Sequence, residues 1–161
     1  MSEEIRIDQF LDLLEDSFSM YSTFKMDILL HNIMETATRI MKSEASSLML
    51  LDEETDELVF EVALGEKKDM LSKIRIKVGE GIAGQVAKTG IPVLVNNVSS
   101  DTRFCSKIDD LTGFKTKSII CAPLKVDSTI IGVAEVLNPE GGKDFTEEDV
   151  RLFTIFSRLA A

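Results

Sequence analysis

Histidine occurs once in this chain and cysteine twice, and these two scarcities exclude most metal and nucleophilic chemistry. A Ser-His-Asp triad or a Cys-His pair would have to use His31, which falls in a stretch of helical periodicity and reads as a partly exposed helix residue. Zinc and haem sites want more His and Cys ligands than these. Cys105 and Cys121 make no metal or redox spacing, and two unpaired thiols suit a reducing cytoplasm. Cys105 has no basic residue directly beside it, Lys107 being two positions on, which is too little to activate a thiol, and it is expected to be a small, partly buried side chain. No run approaches the roughly 18–20 apolar residues that span a bilayer. The acidic start Met1-Ser2-Glu3-Glu4 lacks the basic and apolar regions of a signal peptide. Positive charge is scarce as well: 18 Lys and Arg stand against 28 Asp and Glu, a formal net charge of −10. These absences predict a cytoplasmic protein with no membrane segment, no nucleic-acid partner and no resident cofactor. An anionic small ligand stays open, because backbone N–H groups in a locally positive pocket can hold one.

What is present describes one globular domain with a sizeable core: 161 residues, 44% hydrophobic and 29% charged. Ile7, Phe10, Leu11, Leu14 and Phe18 recur at helical spacing, and a second helix is expected from about Met26 to Lys42. Ile28, Leu29, Ile33, Met34, Ala37 and Ile40 share one face of that second helix. Tyr21-Ser22-Thr23 between them offers hydroxyls suited to a helix cap. From Ser46 the period shortens. Ser47–Asp52 and Glu57–Val62 read as an antiparallel pair joined by an acidic link, and a short charged helix is expected from Glu66 to Ser72. Ile74–Val78 alternates like a half-exposed strand. Ile82–Lys88 is a short helix stopped by Gly90, and Pro92–Val95 is a brief strand before a polar loop from Asn96 to Thr102. Lys117–Pro123 and Ile130–Leu137 form a hairpin through Lys125-Val126-Asp127-Ser128, with Gly132 marking a close approach of backbones. Thr146 and Asp149 resemble a capping box that opens a last helix, apolar on more than one side.

This order predicts an α+β layout, one antiparallel sheet with helices packed on it. Chemistry is sparse in it. Asp109-Asp110 is an acidic pair, but neighbours on a helix point about 100° apart and would not share a site. Gly79-Glu80-Gly81-Ile82-Ala83-Gly84 follows a strand and opens a helix, as a phosphate loop does, yet it lacks the Lys-Ser/Thr of a P-loop. A tight structural turn is its simpler use, with free N–H groups left to meet an anion.

The segment Arg103-Phe104-Cys105-Ser106-Lys107-Ile108-Asp109-Asp110-Leu111-Thr112-Gly113-Phe114-Lys115-Thr116, running on to Pro123, resembles the GAF family. The likeness is to the regulatory GAF domains of cyclic-nucleotide phosphodiesterases and bacterial adenylyl cyclases. Ile130-Ile131-Gly132-Val133-Ala134-Glu135-Val136-Leu137-Asn138 continues it, as do Gly81–Gly84 and Ser47–Asp52. It covers residues 26–161 and leaves 1–25 as a helical extension, a candidate dimerisation element. The resemblance implies a GAF-like (PAS-like) antiparallel sheet of about six strands. Its N- and C-terminal helices pack on one face, and a lid helix covers a ligand pocket on the other.

By the same resemblance Ser47 sits on the pocket floor with Glu135, and Ile82 and Ala83 offer backbone N–H groups to a phosphate. Asp109, at the end of the lid helix, approaches the base edge, while Thr112, Phe114 and Thr116 bind the ligand. Two departures stand out. Ala63 occupies the position where cyclic-nucleotide binders stack an aromatic ring on the purine, and Phe114 is the ring in the motif to compensate. Asn138, Phe145 and Asp149 fit the family's signature, but Pro139 and Val150 replace its Lys and Glu, removing a Lys–Asp ion pair. The implied function is sensory: a non-enzymatic domain binding a small molecule, first a cyclic nucleotide (cAMP or cGMP), and regulating a partner or fused output domain. The alternative is a ligand-free module that dimerises through its terminal helices and transmits a signal. Methionine sulfoxide reduction, known in some GAF-like proteins, needs a cysteine set that is absent here.

Overall fold

The computed structural model describes residues 2–65 and 68–161. Two compact units make up the chain, residues 1–32 and residues 33–161. Helix α1 runs from Ser2 to Ile40 without interruption. The break expected near Tyr21-Ser22-Thr23 is absent, because no Gly or Pro stops the helix there, and hydroxyl residues cap helices without being barred from their interiors. The side chains of Ile7, Phe18, Tyr21 and Thr23 lie outside the described set. In residues 9–29, Phe10, Leu11, Leu14, Met20, Phe24, Met26, Ile28 and Leu29 are all exposed.

The second unit carries a six-stranded sheet. Its strands are β1 (Ser43–Asp52), β2 (Glu57–Leu64), β3 (Arg75–Lys77), β4 (Val93–Val95), β5 (Ile119–Val126) and β6 (Thr129–Pro139), in the order β3-β2-β1-β6-β5-β4. Every neighbouring pair is antiparallel. Strands β1, β2, β5 and β6 each run one to four residues beyond an expected end, since ladder hydrogen bonds continue after the apolar pattern has stopped, whereas β3 and β4 are shorter than expected. The β5–β6 turn narrows to Asp127-Ser128, with Asp127 at φ 56°. Gly132 does mark a close approach: a Cβ there would collide with the Met49 carbonyl of β1.

Alternation divides the sheet into two faces. Ser46, Leu48, Ile120, Ala122, Ala134 and Val136 belong to one. There the end of α1 packs through Met34 and Ala37, and Thr38 Oγ1 lies 2.6 Å from Ser46 Oγ. Helix α5 (Glu147–Ala160) also packs there against β5 and β4, its Phe153 fully buried. The predicted capping box opens α5: Thr146 and Asp149 exchange side-chain-to-backbone bonds of 2.8 and 3.2 Å. On the opposite face, Met49, Leu58, Phe60, Cys121, Val133 and Leu137 form a core with three helices, α2 (Lys68–Leu71), α3 (Gly81–Thr89) and α4 (Lys107–Thr112). The first residues expected in α2, Glu66 and Lys67, lie outside the described residues.

Candidate functional site

A cleft opens on the α3/α4 face of the sheet. It encloses about 580 Å³, including the part open to solvent. Ile76, Ile82, Phe104, Ile108, Ile119 and Leu137 make its apolar walls, and Glu135, Asp109, Thr116, Lys107 and Glu80 supply polar groups. A concave, mostly apolar slot with few directed polar groups has the character of a small-ligand site.

Helix α3 forms one wall because of its glycines. Gly79 (φ 92°) and Gly81 (φ 66°) take the left-handed conformations that turn the chain from β3 into the helix. Gly84 lets the turn fold back on itself, since a Cβ there would lie 2.5 Å from the Lys77 carbonyl. No side chain caps α3. The first-turn N–H groups of Gly81, Ile82 and Ala83 therefore have no intrahelical acceptor, and these three residues line the cleft. The wall combines free donors with the positive end of a helix dipole.

The lid is α4. Before it, Asp101 bonds the backbone N–H and the guanidinium of Arg103 at 2.6–3.0 Å. The Arg103 guanidinium holds the Asp101 carboxyl below its ordinary pKa, and the arginine's own value rises in return. This knot precedes Phe104, whose ring is the one aromatic lining the cleft among the described residues. At the mouth Lys107 Nζ sits 4.0 Å from Glu80 Oε1. Asp109 lies in the first turn of the lid and not at its end, and its carboxylate accepts from Thr116 N (2.7 Å) and Thr116 Oγ1 (2.8 Å). Its neighbour Asp110 turns to Ser106 instead, at 3.1 Å. The two acids do not share a site.

Glu135 makes the floor. Its register neighbours on β1 and β5 are Ser47 and Cys121. The Ser47 hydroxyl donates to Glu135 Oε1 at 2.8 Å. The Glu135 side chain is buried, only 8% exposed. Burial pushes its pKa up to about 7, helped by the nearby negative Asp109 and opposed by the Ser47 bond. Cys121 beneath it is fully buried, and its thiol is raised by that burial and then by Glu135.

Of the residues singled out from sequence, Ile82, Ala83, Asp109, Thr116 and Glu135 line one cleft. Ser47 stands behind Glu135 and acts on it. Thr112 and Phe114 are not among the lining residues. The Thr112 hydroxyl donates to the Ile108 carbonyl (2.9 Å) and accepts from Phe114 N (3.3 Å), so it finishes the lid helix, and Phe114 packs against the core. Ala63 is buried opposite Ser47 on β2, also outside the lining. Phe104, not Phe114, is the ring a ligand would meet. Phe104 stood inside the motif stretch, but nothing in its spacing distinguished it. Cys105, expected to be partly buried, is exposed and lies at the edge of the cleft. His31 is exposed on α1. Among the described residues no cluster of His, Cys, Asp and Glu could hold a metal ion, and no helix is long and apolar enough to cross a membrane.

The sheet order, the uncapped helix and the cleft beneath α4 define an α+β domain built around a small-molecule-sized slot. The chain belongs to the GAF domain family, whose model matches residues 25–161. It is 31% identical over 141 residues to a probable 3',5'-cyclic phosphodiesterase of Caenorhabditis elegans, covering 82% of this chain and 19% of that protein. It is 40% identical over 92 residues to the dual 3',5'-cyclic-AMP and -GMP phosphodiesterase 11 of Drosophila melanogaster, covering 56% of this chain and 6% of that protein. The chain thus spans less than a fifth of the length of either relative. In structure it is similar to the GAF domain of the Acinetobacter phosphoenolpyruvate-protein phosphotransferase. That match has a TM-score of 0.73 at 21% identity, over 84% of this chain and 79% of the other.

Proposed function

We propose that the chain is a sensory and regulatory domain whose cleft binds a small anionic ligand, a cyclic nucleotide (cAMP or cGMP) first. The observation that carries this reading is that free backbone donors and carboxylate acceptors line one apolar slot together. The first-turn amides of α3 suit a phosphate, with Lys107 adding positive charge at the mouth. Phe104 offers a ring face to a purine, in place of the aromatic that Ala63 does not supply. Asp109 and Glu135 can accept from the base or the ribose hydroxyl, Glu135 through the oxygen that Ser47 does not bond. Thr116 already holds Asp109, so it orients the acid that would meet the ligand. One of the phosphodiesterases that the chain resembles is named for cyclic AMP and cyclic GMP, which supports the choice. Its role is regulation of a fused or separate output domain in a reducing cytoplasm, where two free thiols persist.

Calorimetric titration with each nucleotide tests the reading. Saturable heat is expected, weakened about tenfold or more by Asp109→Ala, since a hydrogen bond to a charged group is worth about 1.5–3 kcal/mol. No heat from either nucleotide, on folded protein freed of carried-over ligand, overturns it.

A second reading is favoured by one observation, the apolar residues exposed on α1 from Phe10 to Leu29 and on α5 at Ile155 and Leu159. Exposed apolar helix faces seek a partner, and a second copy of the chain is the simplest one. Sedimentation is expected to show a dimer that is lost when residues 1–20 are removed. A monomer at high micromolar concentration contradicts this, and the two readings are compatible.

A further inference from the structure

Asn138 ends the regular part of β6 in the left-handed region, at φ 53°, and is only 5% exposed. Its side-chain amide is fully engaged. Oδ1 accepts from Lys117 N (2.7 Å) and Ser118 N (3.1 Å). Nδ2 donates to the Lys115 carbonyl (2.8 Å) and to Glu44 Oε2 (3.1 Å). Two N–H groups on one side and two acceptors on the other fix which way the amide points.

Three of these partners belong to residues 115–118, irregular chain entering β5. Such a segment lies outside the strand ladder. Val98 N and Asn138 N bond the Lys117 and Ser118 carbonyls, and the Asn138 side chain supplies the bonds to the Lys115 carbonyl and to the Lys117 and Ser118 amides. In the middle of the held segment Thr116 gives both its N–H and its hydroxyl to Asp109 of the lid. The fourth partner, Glu44, lies at the start of β1, just after α1. Beside Asn138, the Glu140 N–H donates to the Lys42 carbonyl at 2.7 Å. A chain of bonds therefore runs from the lid through Asp109, Thr116 and Asn138 to the point where α1 enters the sheet and the connection to α5 leaves it.

We infer that Asn138 is a positioning residue of the cleft, which sets the lid through Thr116 and ties that setting to the junctions of both terminal helices. The inference deepens the reading of the cleft as a ligand site and takes its signalling meaning from it. The residue is not itself among those lining the cleft. A change in the lid on ligand binding would alter how well residues 115–118 fit Asn138, and so the junction beyond. The coupling is reciprocal: a disturbance at Glu44 must be felt at the lid.

Amide hydrogen exchange on the ligand-free chain, read residue by residue by NMR, tests this without any nucleotide. In Asn138→Ala, exchange at Thr116, Lys117 and Ser118 and at the lid amides of Asp110 and Gly113 is expected to rise about tenfold beyond any rise at Val59 and Val62. The β2 amides report global opening. Asn138→Asp keeps the acceptor but loses both donors and places a carboxylate against Glu44, so lid exchange rises there too. Adding Glu44→Gln to it is expected to recover part of the protection, which loss of core packing alone would not allow. Glu44→Ala, at an exposed position that threatens no core, is expected to speed lid exchange about threefold. Lid exchange that moves only in step with Val59 and Val62 in Asn138→Ala overturns the positioning role. A lid indifferent to Glu44→Ala overturns the link to the junction. Failure of nucleotides to bind would alter neither result.

Discussion

At the scale of the residue, Glu135 is the most consequential side chain, because it holds a carboxyl under an apolar cleft with one hydroxyl for support. Its pKa of about 7, against an ordinary 4.5, means that the folded state binds a proton which the unfolded state has lost between those values. The sign follows directly: stability is fully present below pH 4.5 and falls as pH rises through 7. At about 1.4 kcal/mol for each pH unit, the loss by pH 8 amounts to about 3 kcal/mol. Glutamine does not titrate and can still accept from Ser47. Urea unfolding across pH 5 to 8 should therefore show Glu135→Gln gaining on the wild type as pH rises, by up to about 3 kcal/mol. A difference that stays constant over that range would mean that Glu135 is ionised throughout.

At the scale of the element, the strands and the two hairpin pairs followed from apolar alternation, and the caps of α3 and α5 from Gly90 and the Thr146–Asp149 pair. These signals are local, and so they were legible. Gly132 was legible for the same reason, and its role gives a sharp expectation. Gly132→Ala forces a methyl against the Met49 carbonyl in the middle of the β1–β6 ladder, and is expected to cost about 1–3 kcal/mol by thermal or urea unfolding. An unchanged midpoint would mean that the strands can part there freely.

What could not be read locally was the fate of Tyr21-Ser22-Thr23. Its hydroxyls serve a cap or a helix interior equally well, and the chain resolved the ambiguity as one helix. The lid was partly hidden for a different reason. Asp109 and Thr116 were visible as motif residues, but their bond spans seven residues of non-repeating backbone, where no periodicity reports who faces whom. The Ser47–Glu135 bond joins residues 88 apart and was accessible only through the family resemblance. The same blindness assigned the cleft's aromatic to Phe114 when Phe104 fills that place. The departures at Pro139 and Val150 also find their setting. Asp149 is spent on the α5 cap, and Phe145 is held by Asn96 through backbone bonds of 2.8 and 3.0 Å, so this end of the domain is built without the family's ion pair.

At the scale of the molecule, the two faces of the sheet are furnished differently. One carries the cleft, with free donors at α3, a buried acceptor at Glu135 and a half-buried one at Asp109. The other carries the end of α1 and α5. Asn138 stands at the edge where the two meet. That the cleft receives a small anionic ligand is tested most directly by NMR titration with cAMP and cGMP. Saturable shifts are expected, concentrated at the Gly81, Ile82 and Ala83 amides and at Thr116, with the β2 amides of Val59 and Val62 unmoved. Saturating nucleotide that leaves those four amides unchanged, or moves a different face of the sheet, would contradict it.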